Sequence, residues 1–288
     1  MCGVSELGGW AQPASTYPSL LRTEAIVAYF GTETQIILQR RAEEVYDWLY
    51  TTPGCCQLGR FCGTDDPQLL GWQTIETTLG RDKVFGFRLC PAAQRKAISD
   101  QLEALGYQFH TWNAFLADAQ DALPPSRAFV EEPLPGDLEE HILAPGDSDE
   151  CAHEIQKFMA DNAIAPFSAR MLRSNLGSGA TPYMRDSAGQ IVACAHAYMP
   201  HNRYSEYEKT AWVGLVAVAE QQRGRRLGRR INARAICLAL EALGANAIYE
   251  LVASDNDPSR RMVESCGLRL RSDLICGIAT SDGHRFTK

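Results

Sequence analysis

No stretch of the 288-residue sequence approaches 18 uninterrupted apolar residues, so no membrane-spanning helix is expected. The opening residues, Met1 to Leu21, lack a basic segment followed by an apolar core, and no secretory signal is expected from them. Basic residues are in deficit. The 28 Lys and Arg against 35 Asp and Glu leave a formal charge of −7, which disfavours general nucleic-acid binding. Motifs that would fix a chemistry at once are also missing. There is no CxxC pair, and no His follows the cysteines at a zinc-ligand spacing. A GxxxxGK[ST] phosphate loop and a GxGxxG dinucleotide fingerprint are both absent.

What is present is ordinary globular composition, 45% hydrophobic and 22% charged. The ten cysteines are scattered, and only Cys55, Cys56 and Cys62 cluster. Their surroundings, Cys55 to Leu70, read as a loop with free thiols, with a metal site as the alternative. Cys194, Cys237 and Cys276 sit in apolar runs, where Cys behaves as a small hydrophobe. Scattered free thiols fit a reducing compartment, so a cytoplasmic protein without a metal is expected.

Prolines and acids crowd between Leu123 and Gly146, a composition that opposes both helix and central strand. The reading is a first domain over residues 1–125, a linker over 126–146 and a second domain over 147–288. In the first, Thr34 to Tyr50 has helical periodicity and Lys83 to Leu89 alternates like a strand. Pro91 opens a helix that Gly106 ends, and Tyr107 to Trp112 is a second strand. In the second, Asp149 to Asp161 reads as a helix. Pro182 to Arg185 and Ile191 to Met199 form a hairpin, and Ala211 to Ala219 is a strongly apolar strand. A helix over Leu227 to Leu243, a strand over Ala247 to Ala253 and a short helix over Pro258 to Cys266 follow. Strands near Leu268 to Arg271 and Leu274 to Ala279 close the chain.

The stretch that carries chemistry is LVAVAEQQRGRRLGRRI, Leu215 to Ile231. An apolar strand runs into a Gly/Arg loop and then a helix, which offers free backbone N–H groups and a positive helix end to an anion. Arg223, Arg225, Arg226, Arg229 and Arg230 fall within this loop and the helix start. Arginine binds phosphates bidentately, so a diphosphate is a natural ligand. A solvated basic helix start is the alternative reading.

The order helix, hairpin, long apolar strand, Arg/Gly loop, helix, strand, short helix resembles the GNAT superfamily of acyl-CoA-dependent N-acetyltransferases. That family has [QR]-x-x-G-x-[GA] after its fourth strand, matched here by Arg223-Gly224-Arg225-Arg226-Leu227-Gly228 except that Arg226 replaces the middle glycine. Its later pattern N-x-x-[AS]-x-x-[LM]-Y-x-x-x-G-F is matched by Asn256, Ser259, Met262 and Gly267, with Val263 in place of Tyr. The resemblance covers about residues 138 to 280. It implies an α/β fold with a mixed, mostly antiparallel sheet flanked by helices. The N-terminal domain, smaller and also α/β, reads either as a degenerate second unit of the same kind or as an unrelated cap.

The resemblance also implies acetyl-CoA as co-substrate and an amine of a small molecule or peptide as acceptor, with no nucleic-acid or membrane partner and with homodimerisation left open. CoA would be held by Val216, Val218, the loop from Arg223 to Gly228 with Leu227, Arg229, Asn256 and Ser259. The backbone N–H of Val218 or a neighbour would stabilise the oxyanion. No acid lies within Leu215 to Ala219, so Glu206, Glu208, His196 and His201 are the candidates for the base. Val263 cannot protonate the leaving thiolate as the family's Tyr does, and Ser265, Cys266 and Tyr249 are candidate substitutes. Two other readings stay open: a non-catalytic acyl-CoA sensor or scaffold, and a nucleotide-binding protein using the Arg loop.

Overall fold

The computed structural model describes residues 28–281; the leader reading and Cys2 lie outside them. Thr32 caps the first helix, α1 (Glu33–Glu44), through a capping box with Gln35. The single helix expected to Tyr50 breaks at Val45, and α2 covers Tyr46–Thr51. The segment expected as a loop is ordered. Strands β1 (Cys55–Gln57) and β2 (Cys62–Thr64) form a fully buried antiparallel hairpin. Two helices follow, α3 (Pro67–Leu70) and α4 (Trp72–Asp82), then β3 (Val84–Pro91), which runs parallel to β2. Helix α5 (Arg95–Ala104) ends before Gly106, whose φ of +80° reverses the chain into β4 (Gln108–Asp118).

The linker expected over residues 126–146 is instead largely regular structure. Helix α6 spans Ala119–Glu131 with Pro124 and Pro125 inside it, and β5 spans Leu138–Leu143. Each proline withdraws one helical N–H, so carbonyls one turn back lose their partners. The Asp121 carbonyl is one of these, and it faces Gly267 so closely that a Cβ there would lie 2.2 Å from its oxygen.

The second half follows its expected order closely. It contains α7 (Asp149–Asp161), α8 (Ala169–Leu172), β6 (Gly179–Asp186), β7 (Ile191–Tyr198) and β8 (Thr210–Val218). Then come α9 (Leu227–Glu241), β9 (Ala247–Val252), α10 (Asp257–Ser265), β10 (Arg269–Leu270) and β11 (Leu274–Thr280).

All the strands among the described residues belong to one sheet, in the order β1-β2-β3-β11-β4-β9-β8-β7-β6-β5, with β10 pairing on β4. The halves exchange strands. The C-terminal β11 inserts between β3 and β4 of the first half, and β4 in turn pairs with β9 of the second. The fold is thus a mixed α/β sheet flanked by helices, mostly antiparallel, with parallel pairs at β2–β3 and β8–β9. One face buries α9 and α10 against Ala195, Val213 and Ile248; the other buries α7 and α8 against Cys194 and Tyr198. A separate cluster built on Ile75, Phe87, Leu102 and Ile275 fills the first half.

Candidate active site

Strands β8 and β9 pair only at Thr210, Ala211 and Trp212, and then part. The cause is local. Leu215 takes a left-handed φ of 52°, and the β7–β8 register slips there, between the pairs His196–Gly214 and Cys194–Ala217. The bulge bends β8 away from β9 and leaves an open slot. The Ala219 N–H is donated back to Val192 of β7, 2.9 Å away. Strand alternation therefore turns the N–H groups of Val218 and Val216 toward the slot.

An outer cavity of about 920 Å³ sits at the mouth of this slot, lined by Arg223, Arg226, Gly228, Arg229 and Arg261 together with Val218. No side chain caps the first turn of α9, so its N–H groups remain available to a ligand. Gly224 and Arg226 both adopt positive φ, +83° and 62°. The resemblance puts glycine at position 226, and the backbone there has the left-handed conformation that glycine adopts without cost. A Cβ at Gly228 would meet Val218 Cγ2 at an ordinary 3.5 Å, so the protein itself leaves room at that position.

An inner cavity of about 250 Å³ lies beside it, walled by Trp212, Gly214, Leu215 and Leu251 together with Arg60 and Arg88. Val216, Asn256 and Ser259 line both cavities and mark the junction. Asn256 Oδ1 accepts the Ser259 N–H at 3.1 Å, so this residue caps α10 as well as lining the slot.

The loop residues do not all face the ligand side. Arg225 is held by Asp137 at 2.7 Å and lies outside the outer cavity's lining, which removes it from the expected CoA contacts. Arg230 is spent on Glu140 and on carbonyls of α6. Arg223, Gly224, Arg226, Leu227, Gly228 and Arg229 do line the outer cavity. Arg261, one turn into α10, joins them; it stood in the quoted motif without being singled out, because nothing local marks which face of that helix meets the slot.

The expected bases are placed elsewhere. His196 is fully buried, its Nδ1 2.8 Å from the Thr181 hydroxyl, and burial pushes its pKa down to about 3. It lines neither cavity, and a core imidazole held neutral is a poor proton acceptor. His201 Nδ1 is 2.6 Å from Asp65, with Ser205 also donating to that carboxylate; this group ties the loop after β7 to the first half. Glu206 and Glu208 lie on the exposed part of the same loop, outside both cavities. Val218 lies at the outer cavity, whereas Val216 stands at the junction, so Val216 fits the oxyanion position better. Val263 packs into the core behind α10 and does not reach the slot. Of the substitute donors, Tyr249 and Cys266 are buried away from both cavities, and the Ser265 hydroxyl donates to Met262 O at 2.6 Å. Glu250 is buried against α9, accepts from Asn232 at 2.8 Å, is pushed up to about 8 by burial and lines neither cavity. Among the described residues, no Asp, Glu or His lines the inner cavity.

The cysteine cluster is resolved as packing. The nine described cysteines are free, and burial pushes the Cys62 thiol up to about 12. Among the described residues, no group of three His, Cys, Asp or Glu is placed to hold a metal, and no helix is long and apolar enough to cross a membrane.

Residues 150–268 match the profile described as the acetyltransferase (GNAT) family. No curated protein is significantly similar in sequence to the chain. Among solved structures, a GCN5-related N-acetyltransferase from Kribbella flavida is similar at 14% identity, covering 86% of this chain and 96% of its own, with a TM-score of 0.53. A Drosophila protein matches at 14% identity over 88% of this chain and 91% of its own, also with a TM-score of 0.53. A tandem GNAT protein from the clavulanic acid biosynthesis pathway matches at 11% identity over 85% and 89%, with a TM-score of 0.52. These likenesses extend across both halves and show a shared fold, that of a tandem GNAT structure. The family implies an acyl-CoA co-substrate, and the chain carries a domain of the GNAT acetyltransferase family over residues 150–268.

Proposed function

We propose that the protein transfers acetyl from acetyl-CoA to a small-molecule amine by direct attack on the thioester. The observation that supports this most is the continuity of the two cavities through the slot between β8 and β9, basic outside and largely apolar inside. Arg223, Arg226 and the uncapped start of α9 suit a diphosphate. The slot-facing N–H groups of Val216 and Val218 suit the amides of an extended arm, and Val216 N–H suits an oxygen that gains charge during attack. With no acid or imidazole on the inner wall, the amine enters unprotonated. The thiolate is a good enough leaving group, with a solution pKa of about 8.5, to depart without a tyrosine.

The same bare wall favours a second reading, an acyl-CoA sensor that binds without turnover. Thiol release from acetyl-CoA over a panel of amines, run beside calorimetry, separates them. The expected result is release with at least one amine, at a rate that climbs with pH until that amine is fully neutral. Gly228→Asp sets a carboxylate beside the phosphates and should weaken acetyl-CoA by about tenfold or more while leaving the fold intact. Tight binding without release from any amine would give the sensor reading the lead. Unchanged binding by Gly228→Asp would overturn the assignment of the outer cavity.

A further inference from the structure

The inner cavity is apolar on most of its wall, yet two arginines form part of it. Arg60 comes from the β1–β2 turn and Arg88 from β3, both in the first half of the chain. They are only 8% and 9% exposed, and among the described residues no carboxylate pairs with either. Arg60 spends Nη1 on the Ala165 carbonyl and lies 5.3 Å over the Phe167 ring. Arg88 spends Nη1 on the carbonyls of Phe87 and Gly277, at 3.1 and 3.3 Å. The Nε of each is buried without an acceptor, and so is the Trp212 indole N–H on the same wall.

A buried cation without a counter-charge is costly, because desolvation penalises the charged form and nothing returns the energy. That cost is visible in Arg60, whose pKa burial pushes down to about 10. A buried N–H without an acceptor carries a further cost. Here two guanidinium groups and an indole, all donors, gather on one small cavity that holds no protein acceptor of negative charge. A ligand bringing a carboxylate would supply the missing counter-charge, since the planar guanidinium fork fits a carboxylate by two parallel hydrogen bonds.

We infer that the inner cavity binds a carboxylate through Arg60 and Arg88, and that this carboxylate belongs to the acceptor, an amino acid or similarly small amino-carboxylate. The inference rests on the acyl-transfer reading above. The acceptor is favoured as the carboxylate's source over a dicarboxylic acyl group because both arginines come from the first half of the chain, beyond the junction at Val216 and away from the phosphate side. The volume, about 250 Å³, suits a small molecule rather than a peptide. In the reaction, the amine nitrogen forms a bond to the acyl carbon, the carbon–sulfur bond breaks, and the thiolate leaves with the electron pair. The proton released by nitrogen passes to solvent. The arginines touch the far end of the acceptor and position it.

The test compares amino acids with their amides and decarboxylated amines, using acetyl-CoA and succinyl-CoA, on the parent, Arg60→Gln and Arg88→Gln. Binding is read separately, as thermal stabilisation of the CoA-bound protein by each compound. The expected result is turnover and stabilisation by amino-carboxylates, with KM for the matched amides higher by about tenfold or more. Each arginine variant should lose that discrimination while its affinity for acetyl-CoA stays unchanged. Arg60→Lys, which keeps the charge, guards against a variant that fails to fold and should retain part of the preference. Equal turnover of amines with and without a carboxylate would overturn the inference and leave acyl transfer standing. A preference for succinyl-CoA with carboxylate-free amines, lost in Arg88→Gln, would overturn the assignment to the acceptor. Should no amine release thiol, stabilisation by amino-carboxylates in the parent alone would still support the site, and its absence would reject it.

Discussion

The two halves of the chain share one topology and differ in what they do with it. In each, a strand leads through a helical crossover to a parallel neighbour, then to a helix and a further strand: β2–α3/α4–β3–α5–β4, and β8–α9–β9–α10 with β10 and β11. In the second half the parallel pair opens and the crossover helix starts bare, facing a basic loop. In the first half the space over the parallel pair is filled and the entry to the crossover is capped. Leu58 fills the space over the facing Gly63 and Gly86, where a Cβ would lie 2.1 and 1.9 Å from its methyl groups. The crossover opens with the short α3, where the Asp66 carboxylate accepts the N–H groups of Gln68 and Leu69 at 3.0 Å, while the longer α4 starts at Gly71 without a side-chain cap. A helix end satisfied by its own acid cannot bind a phosphate. The lesson is that the fold supplies the slot, but one cap and one packed side chain decide whether it is used. The first half contributes Arg60 and Arg88 to the wall of the inner cavity.

That division of labour requires the halves to be locked together, and the largest predicted effect tests the lock. Asn202, buried in the loop after β7, donates its amide to the carbonyls of Leu49, Thr52 and Cys55 at 2.8–3.0 Å. Tyr50 donates to Met199 O and Tyr198 to Gln57 O nearby. Asn202→Ala leaves several buried carbonyls without donors, and each such loss costs about 1–3 kcal/mol. A total near 3 kcal/mol should lower the melting temperature by about 6–12 °C, in one transition if the halves form one cooperative unit. A melting curve unchanged by the substitution would show that the halves do not depend on this contact.

The second prediction transplants the first half's chemistry into the second. Arg226→Asp puts at the start of α9 the residue type that Asp66 provides at the start of α3. Aspartate tolerates the left-handed backbone there better than most residues, and its carboxylate can take the free N–H groups of α9. Acetyl-CoA affinity should fall by about a hundredfold, through a lost cation, an added anion and an occupied helix end. The melting temperature of the free protein should hold or rise. Calorimetry and melting together check this. A loss of affinity accompanied by an equal loss of stability would point to misfolding instead of a blocked site.

How much of this was legible in the sequence differs between the halves for physical reasons. In the second half the elements from α7 to β11, apart from the unexpected short α8, fall close to their expected positions, because Ser148, Asn256 and Gly267 punctuate long, strongly patterned segments. The Arg/Gly loop could be read as an anion site because strand, loop and helix are contiguous in sequence. In the first half, β1 and β2 have three residues each, too few for alternation to show, and α4 carries Thr74, Thr77, Thr78 and Gly80, which mask its helical character. Pro124 and Pro125 argued against α6, whose packing against α9 and β4 overrides local preference. The strand exchange and the inner cavity are non-local. Nothing near Arg60 or Arg88 indicates that Trp212 and Val216, more than 120 residues away, share their wall, and the base candidates read from the sequence fall on β7 and the polar loop after it, outside both cavities.

The smallest predicted effect concerns what the second half gives up to keep an arginine at its helix start. Arg226 sits at a φ of 62°, and a left-handed conformation costs a residue with a Cβ roughly 1–2 kcal/mol. Glycine removes that strain but loses more freedom on folding, which returns about 0.5–1 kcal/mol of it. Arg226→Gly, which also restores the middle glycine of the family pattern, should therefore change stability by less than about 1 kcal/mol, in the stabilising direction. Acetyl-CoA affinity should fall modestly, far less than with Arg226→Asp, because Arg223, Arg229 and Arg261 remain around the outer cavity. The gap between the glycine and aspartate variants measures how much of the difference between the halves comes from adding an acid at the helix start and how much from removing a base. Equal losses in the two variants would place the whole difference in the missing guanidinium, and the comparison with Asp66 would then fail.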